Sequence, residues 1–61
     1  MKRLRELRQK KGLSQQALAD MLHVTQQSVY KYENELAIPE LDIIIHMAKI
    51  FETSIDYLVG N

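Results

Sequence analysis

Residues 14–34 read SQQALADMLHVTQQSVYKYEN, two short helical periods with a break between them. Ala17, Leu18, Met21 and Leu22 recur at i, i+1, i+4 and i+5, which puts four apolar side chains on one face of a helix. Ser14 stands just ahead of that run, and its hydroxyl can accept from the unpaired amides of a first turn. His23-Val24 interrupts the pattern, and Thr25 offers a second N-cap almost at once. A further helix over about 26–34 follows with hardly any linker. Two short helices joined so tightly make a helix-turn-helix, in which the second helix can lie in the major groove of duplex DNA.

A wheel at about 100° per residue sorts that second helix into two faces. Gln26, Gln27, Tyr30, Lys31 and Asn34 fall on one side, and Val29 and Tyr32 on the other. The apolar side serves packing. The opposite side is stocked for base reading, since glutamine pairs bidentately with adenine and lysine donates to guanine O6 and N7. Gln26 and Gln27 also sit at the N-terminal end, the part of such a helix that reaches base edges. Glutamine, serine and lysine are equally ordinary residues of a solvated helix, so this face alone leaves both readings open.

Outward from this segment the chain stays helical, with no alternating strand pattern. A first helix over about 2–11 carries Leu4, Leu7 and Arg8 on one side and closes at Gly12, where positive φ is easy for glycine. Pro39 is placed to open a fourth helix, with Glu40 and Asp42 complementing the dipole of its first turn. Leu41, Ile44, Ile45, Met47, Ala48 and Phe51 give that helix a broad apolar face. Ser54 caps a short fifth helix with Ile55 and Leu58, and Gly60 ends it. The expectation is an all-α, compact five-helix bundle, with residues 1–61 forming a single helix-turn-helix domain.

Composition narrows the function. The chain has 61 residues and no cysteine or tryptophan, so no disulfide supports its small core. Absence of cysteine fits a reducing, cytoplasmic setting. No apolar run is longer than the three residues of Ile43–Ile45, far from the roughly 20 that a membrane span needs. Met1-Lys2-Arg3 is basic, but no apolar stretch follows it as in a signal peptide. His23 and His46 have no second ligand at metal-binding spacing. No nucleophile setting, phosphate loop or zinc-protease pattern is present either, so no enzymatic activity, cofactor, metal or small-molecule ligand is expected.

The formal net charge is zero, yet the charges are segregated. Residues 1–31 hold seven basic side chains against two acidic ones, a net of +5, and residues 32–61 hold one against six, a net of −5. Such asymmetry points to a polyanion for the basic half.

The ordered set of residues resembles the Cro and phage-repressor type of helix-turn-helix, the XRE family with its lambda-repressor-like fold. The resemblance runs through Leu4-Arg5-Glu6-Leu7-Arg8, Gly12-Leu13-Ser14-Gln15, Leu18-Ala19, Val24-Thr25-Gln26-Gln27-Ser28-Val29 and Tyr32-Glu33-Asn34. It continues in Pro39, Leu41, Ala48-Lys49, Phe51 and Ser54-Ile55-Asp56-Tyr57-Leu58, and so covers nearly the whole chain. It implies that Gln26, Gln27 and Lys31 contact bases of double-stranded DNA. Gln15 is implied to bond a phosphate and brace Gln26, with Thr25, Ser28, Tyr30 and Asn34 as phosphate or supporting contacts. Arg8 and Glu33 match a buried ion pair between the first and third helices. The chain departs from the family at His23 and Glu35, where glycine is usual. Positive φ there costs a non-glycine residue roughly 1 kcal/mol, and a carboxylate at position 35 would repel the DNA backbone.

Ile43, Met47 and Ile50 on the fourth helix, with Tyr57 and Val59 on the fifth, are apolar beyond the main core pattern. They either widen the core or form a homodimer patch. Together these features lead to a transcriptional regulator, a repressor that binds a palindromic operator as a homodimer. The rival is a protein-interaction module whose acidic half docks a basic partner. Single-stranded RNA binding has little support, because Tyr30 alone offers a stacking surface.

Overall fold

The computed structural model describes residues 1–60, so the expected domain boundary at Asn61 lies outside the described residues. Five helices follow one another: α1 Leu4–Lys10, α2 Gln15–Leu22, α3 Gln26–Glu33, α4 Leu41–Ile50 and α5 Ile55–Val59. Among the described residues there is no strand, and no helix is long and apolar enough to cross a membrane. The bundle measures 25 × 23 × 19 Å.

Three helices start as their sequences dictate. Ser14 Oγ accepts from the Ala17 amide at 3.0 Å, Thr25 Oγ1 from Ser28 at 3.1 Å and Ser54 Oγ from Tyr57 at 3.1 Å. Each hydroxyl satisfies one amide that the first turn leaves without a backbone partner. The fourth start differs from expectation. Pro39 does not open α4 as its first residue; Glu40 is the N-cap, with extended backbone at φ −65° and ψ 158° and no side-chain capping bond. Pro39 stands outside the helix and is buried. α1 is likewise shorter than its expected span, beginning at Leu4 and ending at Lys10.

Helix ends share one device. After α1, α2, α3 and α4 a residue takes positive φ: Gly12 at 71°, His23 at 58°, Glu35 at 62° and Glu52 at 52°. The amide of the next residue then reaches back five positions, as Leu13 to Arg8, Val24 to Ala19, Leu36 to Lys31 and Thr53 to Ala48, at 2.9–3.1 Å. This closure uses carbonyls that the last turn would otherwise leave unpaired. Only Gly12 adopts that backbone without a Cβ penalty.

The core is formed by Leu4 of α1, Leu18, Ala19 and Leu22 of α2, Val29 and Tyr32 of α3, Met47 with the adjoining Phe51, and Leu58 of α5. α3 packs chiefly on α2 and also touches α1, so its orientation is set by both. Met47 is 0% exposed. That corrects its place in the expected dimer patch, because Met47 points into the core between α4 and the helix-turn-helix and offers a partner no surface. Leu41 and Ile45, expected on the packed face, are instead exposed. Met47, Phe51 and Ile44 centre that face, and Leu41 and Ile45 fall past its edge on the wheel.

Candidate nucleic-acid interface

α3 turns Val29 and Tyr32 into the core and leaves Gln26, Gln27, Tyr30 and Lys31 exposed. Ser28 and Asn34 are half-buried at its flanks, and Thr25 is exposed at its start. The Thr25 and Ser28 hydroxyls also meet each other at 2.9 Å, which ties the first turn together. Gln27 and Lys31 are one helical turn apart, and Gln26 and Tyr30 are offset by the same step, so the four form a continuous polar surface.

Behind that surface lies a connected polar network. The Glu33 side chain is 0% exposed and the Arg8 side chain 11%. Arg8 Nε donates to Glu33 Oε2 at 2.6 Å, and its Nη1 donates to the Leu13 carbonyl at 2.8 Å. Arg8 Nη2 reaches Glu33 Oε1 at 3.4 Å. Arg5, half exposed, adds a bond from Nε to Glu33 Oε1 at 3.3 Å. Gln15 Nε2 donates to the same oxygen at 3.0 Å, and Gln15 Oε1 accepts from Gln26 Nε2 at 2.5 Å. Among the described residues no buried side-chain nitrogen or oxygen lacks a partner. Burial pushes the Glu33 carboxyl up, but the bonds from Arg8, Gln15 and Arg5 and the Arg8 charge outweigh it and hold it below the usual carboxylate range.

The network does two structural jobs. It fixes the angle of α3 against α1 and α2 through a buried, directional contact that apolar packing alone does not supply. It also couples an exposed amide, Gln26, to a buried carboxylate through a single intermediate side chain.

Asn34 is held at both ends of its amide. Nδ2 donates to the Tyr30 carbonyl at 2.8 Å, and Oδ1 accepts from Arg5 Nη2 at 3.2 Å. Arg5 thus belongs to this region, although sequence reasoning did not single it out. Its signal was its position three residues before Arg8, on an adjoining strip of the same helix. Lys2, Arg5, Glu6, Gln9, Lys10 and Glu33 line an open, polar groove of about 620 Å³ beside it.

Glu35, the carboxylate expected to face the DNA backbone, has a partner within the chain. The Met1 amine lies 2.8 Å from Glu35 Oε1 and donates to the Tyr32 carbonyl at 2.8 Å. That bond and the charge of the amine hold the Glu35 carboxyl below its ordinary range. His23 and His46 are both exposed, and no group of three metal-ligating side chains gathers among the described residues.

Of the remaining apolar positions on α4 and α5, Ile43, Ile50 and Val59 are half-buried and Tyr57 is exposed. Tyr57 has intramolecular partners: the Arg3 guanidinium lies 4.3 Å from its ring centre, and its hydroxyl is 3.3 Å from Glu6 Oε2. More apolar surface stands elsewhere. Leu36 and Leu41 are largely exposed and Ile38 is 90% exposed, although Leu41 was expected on the packed face of the fourth helix.

A capped pair of short helices, a polar outer face on the second and a buried ion pair behind it define a helix-turn-helix protein. A helix-turn-helix family model matches residues 4–58, and the chain belongs to that family, the XRE type. It is 34% identical over 60 residues to the HTH-type transcriptional regulator ImmR of Bacillus subtilis strain 168, covering 98% of this chain and 47% of the relative. It is 37% identical over 59 residues to the HTH-type transcriptional regulator AnsR of the same organism, covering 97% and 51%. The SPbeta prophage-derived uncharacterized HTH-type transcriptional regulator YonR, also from Bacillus subtilis, is 40% identical over 57 residues, covering 93% and 53%. The chain therefore spans about half the length of these relatives.

Proposed function

We propose that the chain binds duplex DNA sequence-specifically and regulates transcription, acting as a binding protein and not as an enzyme. The observation that carries this is the exposed Gln26–Gln27–Lys31 face of α3, held from behind by the Arg8–Glu33–Gln15 network. Gln26, Gln27 and Lys31 supply base contacts from the major groove. Gln15, Thr25, Ser28, Tyr30 and Asn34 supply phosphate or supporting contacts, which position the domain without discriminating sequence.

The finer picture is a repressor on a palindromic operator. Two copies set their α3 helices about 34 Å apart in successive major grooves, and occupancy blocks access to the promoter. Ile43, Ile50, Tyr57 and Val59 form the pairing surface. The site of action is the compartment that holds the DNA, the cytoplasm.

A mobility-shift titration at several salt concentrations tests the core of this. Duplex binding that weakens steeply with salt supports phosphate engagement. Gln27→Ala should cost about 1–3 kcal/mol on the preferred site and little on random duplex, and equal losses on both would remove Gln27 as a base reader. A second reading, a docking module for a basic protein, draws on exposed Leu36, Ile38 and Leu41 beside Glu35, Glu40 and Asp42. No duplex binding at low salt would favour it.

A further inference from the structure

Arg5 of α1 holds a positive charge that the fold does not cancel. Two guanidinium groups, those of Arg5 and Arg8, converge on the single carboxylate of Glu33. Arg8 makes the shorter contact, at 2.6 Å, from a side chain that is 11% exposed. Arg5 stands 3.3 Å away, and its side chain is 51% exposed. One negative charge against two positive ones leaves a surplus cation, and that cation lies on the solvent side. Lys2 and Lys10 line the groove beside it. With Glu33 matched to Arg8, Lys2, Arg5 and Lys10 stand there against Glu6, a net of +2.

Hydrogen-bond donors are in excess at the same place. A guanidinium has five N–H groups and no acceptor. Arg5 directs Nε to Glu33 Oε1 and one Nη2 hydrogen to Asn34 Oδ1, so three N–H groups remain. The Asn34 amide uses one Nδ2 hydrogen on the Tyr30 carbonyl and keeps the other. Together the two side chains present donors on a net positive charge, which suits the oxygens of a phosphate.

Position decides which anion that is. Asn34 is the C-cap of α3 and falls between Tyr30 and Gln27 on the wheel, on the polar side. A recognition helix reaches base edges with its N-terminal residues. Its C-terminal end therefore lies toward the rim of the groove, where the sugar-phosphate chain runs. Arg5 is fastened to that end through Asn34.

We infer that Arg5 is a phosphate clamp, which grips one backbone phosphate of duplex DNA together with the Asn34 amide where α3 leaves the groove. Lys2 and Lys10 add to the attraction along the same groove. Glu33 and Asn34 hold the guanidinium in place before DNA arrives, which lowers the ordering cost of the contact. This rests on the reading of α3 as the base-contacting helix and carries the interface beyond the helix-turn-helix onto α1.

The test compares wild type, Arg5→Gln and Arg5→Lys over a salt series, on a duplex obtained by binding-site selection and on a random duplex. Lys49→Gln, which removes an exposed cation of α4, controls for net charge. Urea titration checks each fold, which retains the Arg8 and Gln15 bonds to Glu33. Arg5→Gln should weaken binding to both duplexes about tenfold. The slope of log affinity against log salt should fall by about 0.9 for each bound copy. The ratio between the two duplexes should stay the same, because a phosphate contact carries no sequence information. Arg5→Lys should keep the slope and lose part of the affinity, and Lys49→Gln should alter neither. A scan of neutral methylphosphonate linkages along the selected duplex should show a position at which wild type loses affinity and Arg5→Gln does not.

An Arg5→Gln protein with the wild-type slope, or two methylphosphonate profiles that coincide, overturns the clamp and leaves α3 as the reader. Lower affinity at an unchanged slope does the same, since Arg5 would then serve only to support Glu33. No salt-dependent duplex binding by wild type overturns the clamp together with the reading on which it rests.

Discussion

Arg8→Ala removes a cation whose side chain is only 11% exposed, and its cost can be worked from the geometry. Three bonds go with the guanidinium: to Glu33 Oε2 at 2.6 Å, to Glu33 Oε1 at 3.4 Å and to the Leu13 carbonyl at 2.8 Å. Breaking a buried pair by deleting one partner typically costs 3–5 kcal/mol, because the remaining charge stays buried. Here Arg5 and Gln15 still reach Glu33, which places the loss near the lower end, about 3 kcal/mol. A domain of 61 residues has only about 3–9 kcal/mol in total at ordinary per-residue stability. The variant should therefore keep about 0–6 kcal/mol, so that at the low end of the range it is half-unfolded without denaturant. Urea titration followed by helical circular dichroism reads this directly. With a slope of about 1 kcal/mol per molar, the midpoint should fall by about 3 M. Replacing both partners, as Arg8→Met with Glu33→Met, should cost clearly less than the two single changes added together, since no charge is left buried. A loss under about 1 kcal/mol for Arg8→Ala, or strict additivity in the double variant, would refute a buried, energetically coupled pair.

Four further outcomes follow from the same structure. The folded state holds the Glu33 carboxyl below its usual range, so its contribution is complete above the ordinary carboxylate pKa of about 4.3. It is lost as pH falls through the lower folded value, and urea midpoints across an acid series should show a decline that Glu33→Gln flattens. His23→Gly should raise thermal stability by up to about 1 kcal/mol, because φ is 58° at that position and glycine carries no penalty there; an unchanged or lower Tm counts against it. Met47→Ala should lose about 2–5 kcal/mol through the cavity it leaves, whereas Tyr57→Ser should weaken self-association in sedimentation; weaker association with unaltered stability in Met47→Ala would contradict its core position.

What could be read from the chain depended on whether a feature is local. Ser14, Thr25 and Ser54 announced three helix starts, because an N-cap bond spans only three residues. The helix ends were less visible. Gly12 marks its own left-handed turn, and His23 and Glu35 were expected there only through the family pattern. Glu52 gave no sign, since the bonds of Thr53 and Glu52 back into α4 select that conformation against a modest residue preference. α4 was ambiguous for a different reason. With apolar residues at 41, 43, 44, 45, 47 and 50, nearly every azimuth looks packable, and only the placement of α2 and α5 against it shows that Met47 faces inward. The same limit hid Arg5. Its bonds to Glu33 and Asn34 depend on how α1 lies across α3, a tertiary angle that no periodicity carries. The polar face of α3 was legible by wheel and the Gln15–Gln26 brace through the family pattern, but the bond from Gln15 to Glu33 that joins the brace to the ion pair depends on how α2 lies against α3.

The central claim is that the Gln26–Lys31 face of α3 reads bases of duplex DNA. Selection of binding sites from random duplexes, run side by side with wild type and Gln27→Ala, tests it most directly. An enriched motif is predicted for wild type, made of two inverted half-sites about one helical turn apart, with Gln27→Ala losing preference at a single position in each half. No enriched motif, or the same motif with undiminished preference from Gln27→Ala, would contradict it.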